Sequence, residues 1–160
     1  PGYPTPEAVA VIEAFTIPLK KRSTLFGERL YISRSHARRR RVVCEQEKLW
    51  PVLERRGFRR VVLEEMTWSD QIVAFCSARE IVAPHGAGLA NLVFCERGTR
   101  VVELFNSEYV NPCFWRLAAV RGLDYRPVVD DPNGSVRQHL PANRCDIDIP
   151  PSVVVSALLA

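Results

Sequence analysis

Residues 78–103 read A-R-E-I-V-A-P-H-G-A-G-L-A-N-L-V-F-C-E-R-G-T-R-V-V-E, and this stretch decides the fold. Ile81, Val82 and Ala83 form a short apolar run ending at Pro84, which lacks the N–H that a further ladder bond needs. His85-Gly86-Ala87-Gly88 follows as a tight turn, and residues 89–94 read as a helix. A second apolar run, Val101-Val102, closes on Glu103. The order is strand, turn, helix, strand. Glycine at 86 and 88 permits a sharp turn and leaves no Cβ in a ligand's way. The helix directs free N–H groups and the positive end of its dipole into that turn, which suits a phosphate. A carboxylate at the tip of the next strand, Glu103, is placed to accept from ribose hydroxyls, as in doubly wound nucleotide folds.

Working outward, Leu30, Tyr31 and Ile32 give residues 29–34 the character of a strand. Residues 45–56 form an amphipathic helix with Leu49, Trp50 and Leu53 inward, stopped by Gly57. A strand at 61–63 and a helix at 67–77 lead into the central unit. Beyond it come a helix at 114–122, a strand at 124–129, an irregular loop at 130–144, a short strand at 147–149 and a closing helix at 151–159. At the front, Thr5-Pro6 opens a helix with Val9, Ile12 and Phe15 at helical spacing, and residues 17–27 read as a loop. Strands alternating with helices predict an α/β, Rossmann-like three-layer domain with a parallel sheet covered on both faces. Residues 1–27 are expected to be a linking helix and loop, and residues 28–160 a nucleotide-binding domain.

The chain has 160 residues, enough for one domain with a real core. Its 47% hydrophobic and 25% charged content is ordinary for a globular protein, and no run approaches the ~18 apolar residues of a membrane span. It starts on Pro rather than Met and shows no signal-peptide pattern, so it is expected to be a part of something longer. The net charge of +4 favours anionic ligands, and much of it is local, with five arginines in the eight residues 34–41. Five cysteines without a Cys-x-x-Cys pair support neither a disulfide framework nor a zinc site. Cys76 and Cys95 read as small buried hydrophobes.

Ser33-Arg34 with Arg38–Arg41, Gly57-Phe58, Gln71, Ala78, His85-Gly86-Ala87-Gly88-Leu89 with Asn91, Phe94, Gly98-Thr99, Val102-Glu103-Leu104 and Tyr125 together resemble glycosyltransferase family 61. The resemblance spans roughly residues 30–128. Cys44 and Ala90 depart from it, standing where the family usually has Asn and often has Thr. The resemblance implies one half of a GT-B type enzyme: the C-terminal, donor-binding half of two facing Rossmann-like domains. It also implies a nucleoside diphosphate sugar donor, inversion at the anomeric carbon, no obligatory metal and no other cofactor. Its partners would be that donor, a glycan or glycoprotein acceptor, and a missing N-terminal domain of the same enzyme.

Several side chains are candidates for the site. Gly86, Ala87 and Gly88 would take the diphosphate, the alternative being a plain strand-to-helix turn. Asn91 replaces the third glycine of a dinucleotide fingerprint, and either holds the loop or contacts the donor. His85 either shapes the turn or donates to a phosphate oxygen or the sugar as charge develops. Arg34 directly follows a strand and so belongs at the carboxyl edge of the sheet, where ligands bind in such folds. Arg34 with Arg39 or Arg40 would stabilise the departing diphosphate, the planar fork suiting phosphate oxygens. Runs of arginine also bind nucleic acid, but no aromatic residues interleave here, so no nucleic-acid partner is expected. Gln71 reads as a helix-surface residue, the alternative being a polar role near the nucleotide, and Glu103 as the ribose ligand, the alternative being an ordinary edge charge. Asp146-Ile147-Asp148 spells D-x-D but reads as surface, far along the chain from the phosphate turn.

The expected function is transfer of a sugar from a UDP-sugar to a glycan or protein, with His85 and Arg34 acting on the leaving group. A non-catalytic nucleotide- or phosphate-binding module is the alternative. A bacterial cytosolic home, peripheral to the inner membrane where polysaccharides are built, is the expected location. A eukaryotic source would point instead to the Golgi or ER lumen.

Overall fold

The structure, a computed structural model, describes residues 4–17, 23, 25–34, 46–131 and 147–160. The elements in chain order are α1 (Pro6–Thr16), β1 (Arg29–Ser33), α2 (Gln46–Arg55), β2 (Arg59–Val62), α3 (Trp68–Ser77), β3 (Glu80–Pro84), a 3-10 helix (Ala87–Phe94), β4 (Arg100–Phe105), α4 (Cys113–Arg121), β5 (Asp124–Val129) and α5 (Pro151–Leu159). The five strands make one sheet in the order β2-β1-β3-β4-β5, and every pairing is parallel. This is the α/β Rossmann-like arrangement the alternation predicts.

Local chemistry explains the boundaries. The Thr5 hydroxyl accepts from the Ala8 N–H at 3.2 Å and starts α1, and the Thr67 hydroxyl does the same for Asp70 at α3. Gly57 and Gly122 close α2 and α4 with φ of 79° and 66°, the left-handed region that β-carbons disfavour. Alternation along the strands then builds two cores. Leu30, Ile32, Ile81, Ala83 and Val101 face α1, α3, the 3-10 helix and α4. Tyr31, Val82, Val102, Leu104 and Val128 face α2 and α5. Val9 of α1 enters the first core, and Glu13 pairs with Arg121 of α4 at 2.9 Å, so the expected linking helix is tied to the sheet domain. Residues 147–149 run as irregular chain rather than a strand, with Ile147 and Ile149 buried in the second core.

The segment after the glycine turn differs from expectation. It is a 3-10 helix, not an α-helix, and its burial shows why. Ala87 and Ala90 are exposed, Gly88 and Asn91 half-buried, and Leu89 and Leu92 buried. The sequence A-G-L-A-N-L repeats every three residues, and only a helix of three residues per turn stacks Leu89 over Leu92 into the core.

At Gly122 a β-carbon would meet Arg97 at 3.0 Å in addition to the left-handed strain. Gly122→Ala is expected to cost about 1–2 kcal/mol, read as a lower urea midpoint with an unchanged m value.

Candidate functional site

The strand order reverses direction between β1 and β3, and the carboxyl ends of strands at such a reversal are the usual ligand position in these sheets. Arg34 leaves β1 and His85-Gly86 leaves β3 at that point. The two meet: a β-carbon on Gly86 would lie 2.0 Å from Arg34 Nη1 and 2.7 Å from its Cζ. Gly86 itself has φ 170° and ψ 167°, extended backbone open to any residue. The absence of a side chain, not a glycine-only conformation, is what position 86 requires. Gly88 serves packing instead, since a β-carbon there would strike Leu63 Cδ1 at 2.6 Å. The expectation that both glycines bend the chain for a ligand is corrected accordingly, for neither adopts the left-handed conformation that favours glycine.

His85 is 5% exposed and Glu103 is 0% exposed. His85 Nδ1 is hydrogen-bonded to Glu103 Oε1, and the Tyr125 hydroxyl donates to Glu103 Oε2 at 2.5 Å. Burial, reinforced by the Glu103 charge, pushes the Tyr125 phenol far above its ordinary range, so it remains the donor. Phe105 stacks on the imidazole at 5.0 Å, and Tyr109 and Phe114 tilt against it at 5.6 and 5.5 Å. The ribose role expected of Glu103 does not survive this placement. β4 continues through Leu104 to Phe105, so Glu103 lies within the strand, enclosed, with both oxygens engaged by protein. Its chemistry is to fix the His85 ring, as a carboxylate behind a histidine nitrogen fixes tautomer and orientation.

Asn91 is a holding residue. Its Nδ2 donates to Gln71 Oε1 at 2.8 Å, and Gln71 Nε2 donates to the Leu63 carbonyl at 3.0 Å. Gln71 is therefore half-buried and committed, not a surface residue of α3. Ala87 is exposed at the start of the 3-10 helix, where the first N–H groups have no partner within the helix. Arg39 and Arg40, with Cys44, lie outside the described residues, as does Asp146. Asp148 is half-buried and donates its backbone N–H to Asp130. Among the described residues no group of three or more His, Cys, Asp or Glu is placed to hold a metal ion.

Two adjoining cavities of 470 and 430 Å³ open at the opposite, amino-terminal edge of the sheet, both lined by Arg29, Gly57 and Glu80. There Arg29 pairs with Glu80 at 2.7 Å and donates to the Arg56 carbonyl at the end of α2. Those arginines cap helix ends. The sequence pointed to Arg34, His85 and the glycine turn but missed Tyr125 and the aromatic ring around His85. The signal for Tyr125 was a carboxylate inside an apolar strand, which demands partners.

A sequence profile described as Glycosyltransferase 61 matches residues 4–102. An EGF domain-specific O-linked N-acetylglucosamine transferase of Drosophila melanogaster is 33% identical over 98 residues, 60% of this chain and 18% of that protein. A beta-1,2-xylosyltransferase of Arabidopsis thaliana is 34% identical over 64 residues, 40% of this chain and 12% of that protein. A mouse (Mus musculus) protein O-linked-mannose beta-1,4-N-acetylglucosaminyltransferase 2 is 31% identical over 108 residues, 64% of this chain and 18% of that protein. The chain thus spans less than a fifth of the length of these relatives.

Two outcomes follow from the geometry. Tyr125→Phe strips a donor from a buried carboxylate oxygen and is expected to cost about 1–3 kcal/mol at neutral pH. Above about pH 10 the unfolded chain loses tyrosine protons that folded Tyr125 keeps, so stability falls as pH rises. That alkaline loss should be smaller in Tyr125→Phe, by denaturant titration at pH 8 and pH 11.

Proposed function

The chain belongs to the glycosyltransferase 61 family, and from that membership we propose that it carries the donor-nucleotide site of a sugar-transferring enzyme. The observation that carries this reading is the meeting of Arg34 with Gly86 at the sheet's reversal point, beside a histidine held by a buried carboxylate. In the proposal, Arg34 and the N–H groups at Ala87 and Gly88 receive the diphosphate of a nucleoside diphosphate sugar, with a UDP-sugar as the donor. Breaking the bond to the sugar leaves charge on the departing diphosphate, and fixed donors in place before the reaction stabilise it without reorganising. His85, with Nδ1 committed to Glu103, turns Nε2 to this task and donates to a phosphate or sugar oxygen. Glu103 keeps the ring in the orientation that this donation needs.

The wider assignment rests on the relatives. All three are named for transfer of a sugar, N-acetylglucosamine or xylose, and two names include a protein-borne acceptor. We extend this to a glycan or protein acceptor here, with inversion, no metal, and a GT-B partner domain supplying the acceptor's base. Arg39 and Arg40 remain proposed additional phosphate ligands. The buried Glu103 leaves the ribose ligand to another residue.

Titration calorimetry of the chain with UDP, UMP and a DNA oligomer tests the site. UDP is expected to bind more tightly than UMP, and Arg34→Ala to weaken UDP about ten- to a hundredfold, the range for one or two charge-assisted hydrogen bonds. Gly86→Ala should mimic that loss at small cost in stability, because the clash is with the movable end of Arg34. Equal affinity for UDP and UMP would overturn the diphosphate assignment. Salt-dependent binding of DNA without UDP heat would favour a nucleic-acid adaptor. Donor consumption by the longer protein, with acceptor present, separates an enzyme from a binding module.

A further inference from the structure

The connection from β4 to α4 supplies Tyr109, one of the three rings around His85, and one buried carboxylate outside the histidine site is hydrogen-bonded to that connection. Asp130, just past β5, is 4% exposed. Its Oδ1 accepts the Ser107 N–H at 2.7 Å, and its Oδ2 accepts Asn106 Nδ2 at 3.2 Å and the Asp148 N–H at 3.3 Å. Its own N–H donates to the Phe105 carbonyl at 3.0 Å. Asn106 passes the constraint along the loop: its Oδ1 accepts the Glu108 N–H at 2.9 Å and its carbonyl the Tyr109 N–H at 3.0 Å. Tyr109 then lies 5.6 Å from the imidazole of His85.

Burying a carboxylate is costly unless donors converge on it. Here N–H groups from two separate segments converge on Asp130, one of them the loop that touches His85. A tight turn at 106–109 needs no buried charge; a turn held at one distance from a particular ring does. We infer that Asp130 is a positioning residue for the donor site, clamping residues 106–109 so that Tyr109 seats on His85 and sets the direction in which that ring meets the diphosphate. What His85 meets rests on the nucleotide reading above; the seating of Tyr109 on His85 stands apart from it.

The test uses the intact chain, with UDP as the probe and the ring nitrogen resonances of His85 as a second signal. Asp130→Asn keeps shape but removes the acceptor facing Asn106 Nδ2. It is expected to weaken UDP about tenfold, the loss of one or two hydrogen bonds, and to shift the His85 resonances. Exchanging the pair, Asn106→Asp together with Asp130→Asn, restores a donor facing an acceptor on the loop side, leaving only the Asp148 N–H unmatched, and should recover most of both. A merely structural role would lower the unfolding midpoint while leaving UDP affinity and the His85 signal of the folded protein unchanged, and that result overturns the inference. Should Asp130→Asn fail to fold, Asn106→Ala, which loosens only the loop side, reads the same two signals. If the unsubstituted chain binds no UDP, the nucleotide reading fails, and the His85 resonances alone decide this one.

Discussion

A carboxylate with no exposed surface, set between Val102 and Leu104 in the middle strand of the carboxyl-edge site, is the constraint around which the structure is arranged. Moving an ionised carboxylate into an apolar interior costs several kcal/mol even after relaxation, unless its lone pairs are met. Glu103 is met from both sides, by His85 from the end of β3 and by Tyr125 from β5. The three side chains therefore tie three adjacent strands together within the sheet, with only His85 at its carboxyl edge. Replacing such a set by packed apolar groups is often neutral or stabilising, so its presence is poorly explained by stability. Orientation explains it better. The carboxylate fixes one imidazole nitrogen and three aromatic rings restrict the plane, leaving a histidine held in one pose.

The positive charge of the chain divides into two populations with different physics. In a parallel sheet with crossover helices, every helix delivers its carbonyl end to the amino-terminal edge, where the dipoles are negative. Arginines gather there to satisfy those carbonyls: Arg100 donates to Leu158 at 2.5 Å, Arg126 to Ala157 at 3.0 Å, and Arg121 to Cys95 at 2.7 Å. Arg29 does likewise for Arg56 at 2.7 Å, and Arg59 donates to the Leu25 carbonyl in the turn before β1 at 2.8 Å. Net charge alone reads all of these as ligand preference. Arg34 is different, because it stands at the opposite edge, where the helices present N–H groups instead.

Elements were legible in the sequence to within a residue or two, because strand alternation, Thr and Pro starts and glycine stops all acted locally. β5 and α5 match their expected bounds, and Gly57 and Gly122 end helices as read. What was not legible needed the third dimension or a different period. The triplet A-G-L-A-N-L was in view, yet it was read against an α-helical period. Glu103 was taken as a strand tip because two valines precede it, although Leu104 and Phe105 continue the run. Gln71 and Asn91 were weighed separately, and only folding shows that each is the other's partner.

Arg34 and Gly86 are separated by 51 intervening residues, including two α-helices and two strands, and no spacing rule connects them. Their meeting depends on where β2 goes. Had β2 been inserted between β1 and β3, in sequential order, the ends of β1 and β3 would stand two strand spacings apart, about 10 Å. Placing β2 outside β1 removes it from the gap, makes β1 and β3 neighbours in register from Arg29 with Glu80 onward, and brings the arginine onto the turn. The glycine at 86 then has a reason that its own dihedrals do not supply: it leaves the space that the guanidinium occupies. The meeting of guanidinium and glycine turn is in this sense a property of the strand order, which brings two loop residues far apart in the chain together at one edge of the sheet.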